Sequence, residues 1–171
     1  MIAVPTRVRE LSKQLSATKD SDVARDVALL GARIVLAWIF IYHGAYTLFG
    51  AFGGSGLHSA SIFFATVAHL HPGGFFAVVA GVTELVGGAA VGVGIFGRIA
   101  AVGLVVVMVM AMVTVTFSNG ISSVAPGGGY ELNLALAALA LVVAILGTGR
   151  YSLDVALRTY ASKPSAPKVE A

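Results

Sequence analysis

The chain contains no cysteine. That excludes disulfides, thiolate metal clusters, persulfide chemistry and c-type haem attachment through this chain. Charge is scarce as well. Only 11% of the 171 residues are charged, against about 25% in an average soluble domain. Between Arg33 and Arg150 there are three formally charged residues, Glu84, Arg98 and Glu131. The net charge of +3 therefore belongs to the two ends. A basic end beside a bilayer meets anionic lipid, so membrane lipids are expected partners and nucleic acid is not. No phosphate-binding glycine loop is present either. Gly147-Thr148-Gly149-Arg150 has no strand before it and lacks the dinucleotide spacing, and it reads as a helix stop.

What the chain does have is apolar surface. It is 57% hydrophobic with a mean hydropathy of +0.91. A bilayer crossing takes about 20 apolar residues, and four runs approach that length: about 27–49, 74–96, 99–117 and 130–146. The expected fold is an all-α integral membrane protein with a bundle of four transmembrane helices. A short interfacial or re-entrant helix, about Ser59 to Leu70, is expected in the first outer loop. A short amphipathic helix is expected near the C-terminus, with Leu153, Ala156, Leu157 and Tyr160 along one face. Residues 1–22 read as a polar cytoplasmic tail and not as a cleaved signal peptide. Ser21 or Asp22 is expected to cap a helix starting near Val23. The membrane domain then covers 23–160, and 161–171 reads as a disordered tail.

Lysine and arginine placement orients this domain. Five such residues precede Arg33, Arg98 lies in the middle turn, and Arg150, Arg158, Lys163 and Lys168 follow the last span. The two longer loops have none. Positive-inside bias puts both termini and the Arg98 turn in the cytoplasm of a multi-pass protein of the plasma (inner) membrane. Arg33 is expected to snorkel to the inner headgroups.

The polar residues inside the spans are the functional candidates. Glu84 lies near the middle of the second run, where an ionised carboxylate costs about 2.5–3.5 kcal/mol on insertion scales. It should face protein or water. Gly88 and Gly92 beside it make a G-x-x-x-G face that a second helix can approach closely. His43 stands about 15 Å beyond Arg33 along the first span, near the midplane. Glu131 and Asn133 open the fourth run. Glu84, His43 and Glu131 can converge on one outward-facing site for a proton or a quinone headgroup, with Tyr46, Asn133, Tyr130 and Thr83 as further pocket residues. The bland alternative is that His43 and Glu84 only tie two helices together. A bound quinone is the one cofactor this pattern suggests. Haem needs axial ligands from different helices, and only His43 is deep. His58, His69 and His71 form a candidate metal set with Glu131, but His-x-His spacing alone specifies little.

In order and spacing these residues resemble the DoxX family of small four-helix membrane proteins, over about Arg33 to Asp154. The similarity rests on Arg33 ahead of His43-Gly44 and Leu48-Phe49-Gly50, and on Glu84 ahead of Gly87-Gly88, Gly94 and Arg98. Tyr130-Glu131-Leu132 and the stretch Gly147-Thr148-Gly149-Arg150-Tyr151-Ser152-Leu153-Asp154 complete it. One departure is that relatives often carry a lysine shortly after the His-Gly pair, where this chain has Ala45-Tyr46-Thr47. The resemblance implies a bacterial membrane component of redox systems. Some relatives look like small subunits of thiosulfate:quinone oxidoreductases. Actinobacterial relatives are linked to a complex with superoxide dismutase and a sulfurtransferase. The expectation is a membrane subunit of an oxidoreductase or respiratory-type assembly, not catalytic alone, with protein partners in a homo- or hetero-oligomer. The rivals are a small transporter or lipid-binding protein and a purely structural assembly factor.

Overall fold

The computed structural model describes residues 6–124 and 126–162. Every regular element among them is helical. In chain order these are α1 (Thr6–Phe49), α2 (Gly56–Thr66), α3 (Gly73–Val93), α4 (Gly97–Ala111), α5 (Glu131–Leu146) and α6 (Leu153–Ala161). Past Ala111, α4 runs on through one π turn, Met112–Thr116, and one 3-10 turn, Phe117–Asn119. Three stretches are long and apolar enough to cross a bilayer: Thr18–Phe49, Gly73–Val93 and Gly97–Asn119. α5 is equally apolar but has 16 residues, about 24 Å at 1.5 Å per residue. Four helices close a ring: α1 packs on α3, α3 on α4, α4 on α5, and α5 returns to α1. α2 lies against α3 and α1.

Several boundaries differ from expectation. α1 begins at Thr6 and not near Val23. The Ser21 hydroxyl donates to the Thr18 carbonyl inside the helix (2.8 Å) and caps nothing. Nucleation is the costly step in helix formation, and the buried part of α1 has already met it. Good helix formers such as Arg7, Glu10 and Lys13 then allow the helix to propagate outward. α2 spans Gly56–Thr66 where Ser59 to Leu70 was expected. His69 adopts a left-handed conformation (φ 55°) and turns the chain, so that the Leu70 N–H reaches back to Phe64. The turn between α3 and α4 is Gly94-Ile95-Phe96, not Gly97-Arg98. Gly94 at φ 80° ends α3, in the left-handed geometry where a Cβ is penalised. Beyond Ser162, the expected C-terminal tail lies outside the described residues; Ala161 still closes α6.

The interface between α1 and α3 explains the glycines. A Cβ on Gly44 would stand 2.5 Å from the Leu85 nitrogen and 2.7 Å from the Gly81 carbonyl oxygen. A Cβ on Gly88 would stand 2.9 Å from the Phe40 Cβ. The two backbones touch, which is the usual way helices associate where lipid is no less apolar than the side chains. Leu36, Phe40, Val91, Leu104 and Val143 fill the core beside this contact.

Arg33 overturns its expected role. It is 1% exposed and does not snorkel. Its Nε–H donates to the Val91 carbonyl (2.8 Å) and Nη2 to Gly92 (2.6 Å), the last carbonyls of α3. Nη1 donates to Thr148 (2.7 Å) and Tyr151 (2.8 Å), in the turn after α5. Four of its five N–H groups are thus spent, two of them on carbonyls that the end of α3 leaves unpaired. The α3 C-terminus also supplies partial negative charge. Asp26, likewise buried, accepts the Arg150 N–H (3.3 Å), and Asp154 accepts the Phe96 N–H (3.2 Å). The stretch Gly147 to Asp154 is therefore a clasp that holds α1, the α3–α4 turn and α5 together.

Candidate functional site

The opposite end of the ring is open. A cavity of about 620 Å³ lies between α1, α2, α3 and α4, within the usual range for small-molecule sites. α1 contributes His43, Tyr46 and Thr47, and α3 contributes Glu84. The α2 aromatics Phe63 and Phe64 form one wall, and Met110 and Thr114 from the end of α4 form another. Most of the lining is apolar.

Local structure sets each side chain. Gly44 presses α1 onto α3 beside Leu85, so His43 and Glu84, their chain neighbours, are brought to the same cavity. Tyr42 packs edge-on to His43, with ring centroids 5.4 Å apart, and stacks on Phe52 at 5.0 Å. Phe52 sits in a left-handed backbone conformation (φ 57°) next to Gly53 and Gly54. The glycine-rich loop thus folds back over the end of α1. In the π turn that follows α4, the Thr114 hydroxyl donates back to the Met110 carbonyl of α4 (2.7 Å). π turns are rare and concentrate at functional positions.

Glu84 is half-buried and His43 is the more exposed of the two. Among the described residues neither is hydrogen-bonded or ion-paired to any other protein group; His43 has only the ring contact with Tyr42. No buried side-chain oxygen or nitrogen lacks a partner there, so the Glu84 oxygens are open to the cavity. A carboxyl and an imidazole then stand in an apolar chamber with their hydrogen-bonding capacity unspent.

The other sequence candidates lie elsewhere. Glu131 does not line the cavity. Its carboxylate accepts the Ser123 N–H (2.8 Å) and the Ser123 hydroxyl, folding the second loop onto the start of α5. Tyr130 stacks on Phe117 at 5.6 Å, and the Asn133 amide donates to the Thr116 hydroxyl (3.2 Å). Thr83 faces α4, where its Cγ2 lies 3.1 Å from the Cβ position of Gly103. Among the described residues no three His, Asp or Glu side chains are grouped as metal ligands, so His58, His69 and His71 with Glu131 form no such set. Sequence reasoning missed Phe64, Met110 and Thr114 as lining residues. The Phe63-Phe64 pair on a short glycine-flanked helix was the available signal for the first. Nothing in the pattern marks the π turn that presents Thr114.

The family model of DoxX matches residues 28–117, just over half of the chain, and that stretch carries Arg33, His43 and Glu84. No curated protein matches the chain, and no solved structure does. With its apolar helices and that match, the chain is a membrane protein belonging to the DoxX family.

Proposed function

We propose that the cavity receives the headgroup of a membrane-dissolved quinone, and that the chain serves as the membrane subunit of an oxidoreductase assembly. One observation carries the reading: Glu84 and His43 stand unpaired in a chamber whose lining is mostly apolar. Unmet polar groups at membrane depth are costly, so they mark a place where something polar binds. A quinone suits the chamber in both respects. Its ring and tail match Phe63, Phe64 and Met110. Its two carbonyl oxygens accept hydrogen bonds from a protonated Glu84 and from an imidazole N–H of His43, and the same two groups can pass protons to or from the headgroup. The chain has no cysteine to ligate an iron–sulfur cluster, and the reading assigns the electrons for the quinone to a redox protein partner in the assembly.

This reading uses four spans, with α5 as the fourth, both termini and Arg98 in the cytoplasm, and the cavity in the outer half of a plasma membrane. The arginine and lysine distribution supports that orientation, and the closed ring of α1, α3, α4 and α5 supports the count. A bilayer thins locally around a span as short as α5. α2 then lies at the outer interface or re-enters. Glu131 stands at the outer end of α5 and shapes the second loop.

Photolabelling tests the proposal. The purified chain in lipid nanodiscs is exposed to an azido-quinone, and labelled peptides are read by mass spectrometry. Label is expected on the peptides around His43 and Glu84, reduced about tenfold in Glu84→Leu, which deletes the donor, the scale of one strong hydrogen bond. Label spread evenly over lipid-facing surfaces, with no Glu84 dependence, would remove the quinone reading. The lining is apolar enough to favour a second reading, a lipid-binding or transport protein. A lipid retained in the cavity, displaced by no quinone, would support it.

A further inference from the structure

A second concavity, of about 860 Å³, lies at the clasped end, between α1, the α3–α4 turn, the turn after α5, and α6. Four arginines line it, Arg25, Arg98, Arg150 and Arg158, with only two acidic residues, Asp26 and Asp154. Both acids are engaged. Asp26 accepts the Arg150 N–H and stands 3.8 Å from Arg25, which also faces Asp22 at 4.0 Å. Asp154 accepts the Phe96 N–H. Among the described residues, Arg98, Arg150 and Arg158 have no carboxylate partner. All three are exposed. Arg98 folds over the end of α5 because Gly147 has no side chain; a Cβ there would meet its Nε at 3.1 Å. Arg150 lies over the Tyr151 ring, 5.7 Å from its centre.

We infer that this groove binds the phosphate of an anionic phospholipid. Guanidinium groups present forked N–H donors that match phosphate oxygens. Three of them without a carboxylate partner make an anion site. The surroundings choose the source of the anion. Phe96 and Ile99 are 70% and 75% exposed on the groove wall, and Leu146 and Leu157 are exposed beside them. Ile99 follows Arg98 directly and enters an apolar stretch long enough to cross the bilayer. Among the described residues, Leu157 and Tyr160 on α6 are largely exposed and Leu153 is partly so. A lipid presents a phosphate above acyl chains in the same order. A free phosphate would use the arginines and leave the apolar wall bare. A zwitterionic headgroup would bring a cation towards three more.

The groove is independent of the quinone reading, and so is its test. The full chain in mild detergent is offered equal phosphatidylglycerol and phosphatidylcholine, and retained lipid is read by native mass spectrometry. The wild type is expected to retain phosphatidylglycerol preferentially. R98Q/R150Q/R158Q should lose at least about tenfold of that retention, given the attraction per basic residue near an anionic surface, with phosphatidylcholine unchanged. R7Q/R9Q/K13Q removes the same formal charge from the beginning of α1 and should stay within about twofold of wild type. Equal retention by wild type and groove variant, or equal loss in both variants, overturns the proposal. In a further arm, millimolar inorganic phosphate is added. If it displaces the lipid and binds the lipid-free chain as well, the site belongs to free phosphate and the lipid assignment fails. If the triple variant melts early by circular dichroism, Arg98→Gln and Arg158→Gln carry the test singly, each with a loss of about threefold.

Discussion

At one end of the bundle, Arg33 sets four N–H groups on four carbonyls and is closed to solvent. At the other, Glu84 and His43 face about 620 Å³ of space with no hydrogen-bonding partner. Both ends bring ionisable groups into apolar surroundings. At the first, Arg33, Asp26 and Asp154 are used to hold helices, and α1, α3 and α5 cannot separate there without stranding polar atoms. At the second, capacity is left over. Stability and ligand recognition therefore depend on different residues, and substitutions should separate them.

Arg33 carries the largest expected effect. Arg33→Met keeps much of the volume but strands carbonyls of Val91, Gly92, Thr148 and Tyr151. Charge-assisted hydrogen bonds are worth about 1.5–3 kcal/mol each, and the losses are not simply additive. We expect at least about 3 kcal/mol of destabilisation, read as a fall in Tm in mild detergent or as failure to accumulate in the membrane. Arg33→Lys should fall between, because a point ammonium cannot span four acceptors in a fork. A Tm unchanged in Arg33→Met would mean that the clasp does not hold this end.

The α1–α3 contact joins the two ends and ranks next. Gly44→Val puts carbon where Leu85 and Gly81 backbone atoms already stand, and overpacking of this kind costs about 1–3 kcal/mol. Gly31 supplies the control. Nothing lies within 4 Å of a Cβ there, so Gly31→Ala should stabilise by up to about 1 kcal/mol through helix propensity. If both substitutions shifted Tm alike, close approach at Gly44 would not be what joins the helices.

How much of this could be read in the sequence follows from the range of each signal. Apolar runs and charge gaps extend over many residues, so the helices of the bundle and the unusual depth of Glu84 and His43 were legible. Local rules failed where a distant partner decides. Arg33 looked like a headgroup anchor because its neighbours in sequence are apolar; its real partners are about 60 and 115 residues away. Gly147 to Arg150 read as a helix stop, and Gly147 does end α5, but no local rule showed that this stretch and the residues up to Asp154 also offer carbonyls to Arg33 and a carboxylate to Phe96. Glu131 looked like a third member of the acid cluster because it opens α5 at the same end, yet Ser123, eight residues before it, takes its carboxylate.

A smaller effect tests whether the open end has structural polar bonds of its own. The Asn133 amide links α5 to Thr116 at the π turn of α4. Interhelical hydrogen bonds in membranes average about 0.6 kcal/mol, so Asn133→Leu should lower Tm only slightly. A loss on the scale of Arg33→Met would show that the cavity end is held by polar bonds after all.

The smallest expected change is the most informative. Glu84→Gln removes no hydrogen bond or ion pair within the protein, because none is present. Replacing a polar group that has no partner is close to neutral, so stability should move by less than about 0.5 kcal/mol, and quinone labelling should persist because the amide N–H still donates. Glu84→Leu sharpens the point. It deletes the donor, so quinone labelling should fall about tenfold, yet it fills part of the chamber with apolar volume and should hold or raise Tm, which no structural glutamate would permit. If instead Glu84→Leu unfolds the bundle as Arg33→Met does, then Glu84 ties helices together, the two ends work alike, and the cavity is not a place kept open for a ligand.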